Sequence, residues 1–317
     1  MLTVDPPDHS RLRSLAAKAF TPRMIEQLRP RIQQITNELL DAVEEHGQMD
    51  LIQDFAFPLP ITVISEMLGI PPEDRARFRA WTQVFLAMPE GTSFEKDPVR
   101  SATLNDFIHY IRTLLDKKRE HPGEDLVSGL VLAEENGDQL SETELVSTVF
   151  LLIIAGRETT VNLIGNGTLA LLEHPDQLRL LQQNPSLISS AVEELLRYTS
   201  PVALATPRWA NEDITIHDTL IRKGNLVFIA LIAANDDAQH FSDPETLDIA
   251  RQVNKHLAFG KGIHVCLGAP LARLEGQIAF STLFQRLPHL CLIGDPEQLI
   301  WNRTPLLRGL TRLPVTF

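Results

Sequence analysis

Cysteine is scarce: Cys266 and Cys291 are the two in 317 residues. Two thiols do not make a disulfide framework, and a reducing, cytoplasmic setting is expected. Positive charge is also in deficit. The net charge is −12 and the isoelectric point about 5.3. That balance argues against nucleic acid or an anionic membrane surface as the main partner. Met1-Leu2-Thr3-Val4-Asp5-Pro6-Pro7 shows no basic region followed by an apolar run, so no leader or membrane anchor is expected. The longest apolar run, Val149 to Ala155, is far too short to span a bilayer. Internal repeats and low-complexity segments are missing too. With 44% hydrophobic residues the chain can still build a sizeable core, and its length alone would allow two domains.

The most informative stretch is Phe259-Gly260-Lys261-Gly262-Ile263-His264-Val265-Cys266-Leu267-Gly268. Its glycines permit tight turns and close approach to a flat ligand. Beyond Cys266, Leu271, Leu274 and Ile278 recur at helical spacing, with Pro270 in the first turn. Cys266 therefore stands where a loop enters a helix, and the positive end of that helix is expected to favour the thiolate. A lone thiolate suits haem iron, because zinc and iron–sulfur sites need several such ligands. Taken without its context, a buried free cysteine is the plainer reading.

Phe-Gly-x-Gly-x-His-x-Cys-Leu-Gly closely resembles the haem-ligand loop of the cytochrome P-450 family. The resemblance implies the mainly helical cytochrome P-450 fold with minor β-sheets, as one domain over residues 1–317 without the family's usual N-terminal part. It implies that Cys266 ligates haem iron and that Phe259, Gly260, His264 and Gly268 belong to the cofactor cradle. Residues 5–22 resemble the family helix whose His and Arg bind the haem propionates, here His9 and Arg13. Their spacing alone puts them on one helix face, where a solvated basic face is the simpler reading.

Ser141-Glu142-Thr143-Glu144 opens a long helix with a capping-box pattern. Midway, Ala155-Gly156-Arg157-Glu158-Thr159-Thr160 interrupts an apolar run. By itself this reads as a buried ion pair or a kink. It resembles the family's oxygen-binding groove, which implies that Ala155 and Gly156 face the haem. By the same match Thr159 hydrogen-bonds the oxygen and Glu158 helps relay protons. Arg157 holds a variable position. Glu194-Leu195-Leu196-Arg197 reads as a surface i, i+3 pair, whereas the family's Glu-x-x-Arg is a buried pair completed by a later arginine, here Arg251. Pro201 to Ala210 resembles the family strand that lines the pocket with Val202, Ala203 and Leu204 and turns Arg208 to a propionate. Leu306 to Val315 resembles the closing hairpin that brings Leu307 to the pocket.

Local pattern predicts two helices over residues 24–70, broken at Phe55-Ala56-Phe57-Pro58-Leu59-Pro60. It predicts a polar loop over 86–100, a helix over about 101–120 and a connection from Asp125 through Leu130 to Asp138. A helix follows over 186–199, then short strands at Ile214–Ile216, Leu220–Ile221 and Leu226–Ile229. The functional expectation is a haem-thiolate monooxygenase that uses haem b and O2. NAD(P)H electrons arrive through a ferredoxin or flavodoxin, and the substrate is small and apolar. The alternative is a haem-binding protein or inactive fragment without oxygenase activity.

Overall fold

The computed structural model describes residues 1–86, 97–135, 137–302, 304 and 306–317. The chain runs through α1 (Asp8–Ala19), α2 (Pro22–Gln27), α3 (Arg29–Glu44), β1 (Gln48–Asp50), a π-helical turn (Leu51–Ala56), α4 (Pro58–Met67), α5 (Arg75–Leu86), α6 (Pro98–Glu120) and α7 (Leu126–Leu132). A hairpin β2 (Glu134–Glu135) and β3 (Asp138–Gln139) leads into α8 (Glu142–Glu173), α9 (Pro175–Gln183) and α10 (Ile188–Thr199). Then come β4 (Arg208–Trp209), β5 (Ile214–Ile216), β6 (Thr219–Ile221), β7 (Leu226–Val227), α11 (Leu231–Asn235), α12 (Ala269–Arg286), β8 (Cys291–Leu292) and β9 (Pro314–Thr316). Strands are few and short. β1, β9 and β8 form one antiparallel sheet, with Met49 opposite Val315, and the other ladders are two-stranded.

α8 is the central element. Ser141 and Glu144 close the capping box reciprocally, as its sequence predicts. By length and composition it is long and apolar enough to cross a bilayer, but 56% of that stretch is buried inside the protein. The continuous run Val149–Ala155 understates it, because burial extends through residues 160–171. The π-helical turn, α4, α10 and α12 pack around it. Two of its glycines allow this closeness. A Cβ at Gly165 would lie 2.4 Å from Ile52 Cδ1, and one at Gly167 2.6 Å from Phe280 Cζ.

Several local expectations change. Residues 24–44 form two helices, α2 and α3, because Pro30 lacks an N–H and its ring clashes one turn back, so a new helix starts around it. The break near Phe55 is a π-helical turn, and Pro58 and Pro60 sit in the first turn of α4, where proline is tolerated. Asp125–Leu130 is helical, with the Asp125 side chain accepting from Ser128 N as an N-cap. The predicted loop over 86–100 lies largely outside the described residues, and α6 already begins at Pro98. Between Pro201 and Ala210 only Arg208–Trp209 joins a ladder, with Val202 and Leu204 making single bridges to Leu307 and Ala230.

Glu194 and Arg197 lie inside the protein, their side chains 0% and 1% exposed. Arg197 donates from Nε and Nη2 to both carboxylate oxygens of Glu194, at 2.9 and 2.8 Å. Arg251 adds a bond of 3.0 Å to Oε2, Asn254 one of 2.9 Å to the same oxygen, and the Asp248 N–H one of 3.1 Å to Oε1. Arg197 Nη1 caps the carbonyls of Asn235 and Pro244. Removing one member of such a buried set leaves charge uncompensated, at a cost of about 3–5 kcal/mol. Glu194→Ala should lose stability on that scale in chemical denaturation. A loss within the range of an exposed pair, below about 1 kcal/mol, would contradict the network's importance.

Candidate active site

α12 starts at Ala269, with Gly268 as its N-cap, and the loop before it wraps back on itself. Cys266 N donates to Phe259 O at 2.9 Å and Gly260 N to Leu257 O at 2.8 Å. Gly260 and Gly262 hold φ of +70° and +78°, a left-handed conformation costly to other residues. Residues Gly262–His264 make one tight helical turn two residues before Cys266. Cys266 is exposed yet closely walled by protein. Burial pushes its thiol up, while the N–H groups of Gly268 and Ala269 and the charges of Arg13 and Arg273 pull the other way. The expectation that the helix start favours the thiolate is thus met only in part: the amides do point at sulfur, but burial outweighs them.

Cations collect beside the thiol. The rings of His9, on α1, and His264 lie 4.1 Å apart. Burial lowers the pKa of His264, and His9, Arg208 and Arg13 lower it further, against Asp5. Arg13 Nη2 donates to Val265 O at 2.7 Å, which ties α1 to the cysteine loop across 252 residues. His9 is 2% exposed, and both its ring nitrogens are buried without a partner among the described residues. α1, β4 and the loop thus bring His9, Arg13, Arg208 and His264 together.

On α8 the helix runs unbroken through Ala155–Thr160, so neither polar substitution nor glycine interrupts it. Ala155 is exposed and Thr159 half-buried one turn on. Thr159 Oγ1 donates to Ala155 O at 2.8 Å, and Thr160 Oγ1 to Gly156 O at 3.2 Å. Burial raises the Glu158 carboxyl, opposed by Arg157. Arg157 turns inward instead: its guanidinium lies 3.8 Å over the Phe57 ring and donates to Thr82 O at 3.3 Å. Burial pulls its pKa down to about 10, so it stays charged at neutral pH.

Val202, Ala203 and Leu204 are half-buried, and Val202 pairs with half-buried Leu307. Further groups brace the loop that pattern reading did not single out. Glu193 accepts from Arg273 at 2.6 and 2.8 Å and lies 3.0 Å from His256 Nε2. Burial opposes its charge, but Arg273 and His256 hold its carboxyl at about 2. Arg273 also stacks 4.5 Å over Phe259. Glu275, deep in α12, is pushed up to about 8 by burial and contacts Thr160, which links α12 to α8. A charged residue at helical spacing within an apolar stripe was the available signal for Glu275.

The cytochrome P-450 family model matches residues 77–312. The chain is 60% identical to the cytochrome P-450 CYP107DY1 of Priestia megaterium, over 100% of this chain and 76% of that protein. It is similar to the solved structure of the polyketide synthase cytochrome P-450 PksS of Bacillus subtilis. There the TM-score is 0.94 at 50% identity, over 98% of this chain and 79% of that one. The cytochrome P-450 monooxygenase PikC of Streptomyces venezuelae is 47% identical over 99% of this chain and 75% of its own length. The chain belongs to the cytochrome P-450 family. It is a monooxygenase of small organic substrates and uses haem b, O2 and NAD(P)H-derived electrons passed on by redox partners. The family model starts after α1, but these relatives align over the whole chain, His9 and Arg13 included.

The residues fit that cofactor. Four basic side chains meet beside one accessible thiol, and the buried His9 ring has no hydrogen-bond partner among the described residues, which a propionate would provide. A charge-assisted bond is worth about 1.5–3 kcal/mol. Arg208→Ala and His9→Ala should therefore lose haem faster than the parent to a scavenging globin while keeping the iron ligand. Retention equal to the parent in alanine variants of all four cations would contradict this placement.

Proposed function

We propose that the chain works as one cytoplasmic domain in which Cys266 would hold the haem iron and Glu158 and Thr159, on α8, would deliver protons. Haem, when bound, supplies oxygen activation, helped by electron density from the thiolate. His9, Arg13, Arg208 and His264 anchor the propionates. Exposed Ala155 gives α8 a low profile where the cofactor would lie, whereas the space beside Gly156 is taken by Ile64, 2.9 Å from where a Cβ would stand. Thr159 spends its hydroxyl proton on Ala155 O, which leaves its lone pairs free to accept a hydrogen bond from the cleft. Burial raises the Glu158 carboxyl, opposed by Arg157, which favours its carrying a proton and passing it on. One proton route through these two side chains suffices to bring protons to the reacting oxygen from an otherwise apolar wall.

Val202, Ala203, Leu204 and Leu307 line the substrate side, which suits a small, mostly apolar molecule. The name of PksS places that relative in polyketide biosynthesis, and a reduced, apolar carbon skeleton of that kind fits such a wall. Electrons come from a separate ferredoxin or flavodoxin. The observation that carries this reading is the convergence of four basic side chains, His9, Arg13, Arg208 and His264, beside one accessible thiol. With a surrogate redox chain, Thr159→Ala should keep haem but uncouple turnover, so that peroxide rises and product per electron pair falls. Glu158→Gln should slow turnover by about 10²-fold. Full coupling in Thr159→Ala would leave that hydroxyl with only its backbone bond.

A further inference from the structure

Two asparagines on α8 are unexplained by the chemistry above. Asn162 and Asn166 are one turn apart, each 2% exposed, in the most buried part of the helix. Asn162 Nδ2 and Asn166 Oδ1 have no partner among the described residues. Buried amides left half satisfied are costly, and an apolar residue would pack there more cheaply. Both face the segment that carries Leu307. Asn166 Nδ2 donates to Arg308 O at 2.8 Å. Asn162 lies flat against Gly309, where a Cβ would sit 1.9 Å from Oδ1 and 2.4 Å from Cγ. Gly309 does not need glycine for its backbone angles, since it is not among the positive-φ glycines; the missing side chain makes room for Asn162.

The other side of the segment is tied to the strand that leaves α10. Arg308 N donates to Pro201 O at 3.0 Å, Ala203 N to Leu306 O at 2.9 Å, and Leu307 bridges Val202. Asn302 N donates to Gly309 O at 2.8 Å. Residues 306–309 are therefore clamped between 201–203 and α8, and the α8 half of the clamp begins three residues after Thr159. We propose that Asn162 and Asn166 are positioning residues that fix the height of Leu307 over the cleft and so select which part of a substrate reaches the reacting oxygen. This rests on the reading of Leu307 as a pocket residue. The lock couples specificity to the same helix that carries Glu158 and Thr159.

The test compares imidazole with 4-phenylimidazole as spectroscopic ligands of the haem-loaded full chain. Imidazole fills only the space next to iron, whereas the phenyl ring reaches the wall. Gly309→Ala forces Asn162 and the turn apart and should weaken 4-phenylimidazole by about tenfold, the scale of a small misfit in an apolar pocket, while imidazole binding stays the same. Gly309→Ala combined with Asn162→Ala removes the clash but also the Asn162 contact, and should restore part of the lost affinity. Asn166→Ala, which adds no bulk, should shift 4-phenylimidazole in the same direction and covers the case in which Gly309→Ala does not fold. A purely structural role would lower the melting temperature in these variants and leave the ratio of the two affinities unchanged, which would overturn the proposal. So would a loss in Gly309→Ala that Asn162→Ala does not repair. The functional reading fails separately, if the parent binds both azoles but makes no oxidised product from any of a series of apolar substrates. The azole comparison still decides the lock in that case.

Discussion

The cysteine loop has almost no regular structure of its own, and the buried Glu194 carboxylate is what gives the chain leading into it a fixed course. Between α11 and the loop, residues 241–258 contain no helix or strand. Their backbone is held by side chains instead. Arg197 and Arg251, drawn to Glu194, cap the carbonyls of Asn235, Ser242, Pro244 and Thr246. Leu257 N then bonds Asn235 Oδ1 at 2.7 Å, two residues before Phe259. A buried ion pair is weak evidence for net stability. Here it supplies partners that a helix or sheet would otherwise provide for irregular backbone.

The loop is held from its other side as well. Glu193, next to Glu194 in sequence, reaches Arg273 on α12 and His256, and Arg273 stacks on Phe259. One turn of α10 thus braces the chain on entry and the helix on exit. Cys266 is left to face the cleft with two amides pointing at sulfur. The basic side chains beside it come from α1, β4 and the loop itself, an arrangement that suits an anionic ligand.

Much of this was legible in the residues, and for identifiable reasons. The capping box at Ser141, the basic end of α6 at Lys117–Arg119 and the glycine loop around Cys266 are local chemical signatures, so they survive without tertiary information. The Glu194–Arg197 spacing was legible too, but its burial was not, because a surface pair has the same spacing. Only the family resemblance pointed inward. α7 was missed because seven residues carry too little periodicity. The π-helical turn was hidden because Pro58 and Pro60, just after it in α4, read as a break in the chain. The contact between Asn162 and Gly309 joins residues 147 positions apart and depends on a missing Cβ, which no window of sequence can show. Asparagines within an apolar helix were the one trace of it.

The central claim is that Cys266, among two cysteines, is the ligand around which the rest is arranged. The carbon-monoxide difference spectrum of the reduced, haem-loaded protein tests it most directly. The account predicts the red-shifted band of a thiolate-ligated haem in the parent and in Cys291→Ala, and its loss in Cys266→Ala. A parent spectrum typical of histidine ligation, or a thiolate band that persists in Cys266→Ala, would contradict it.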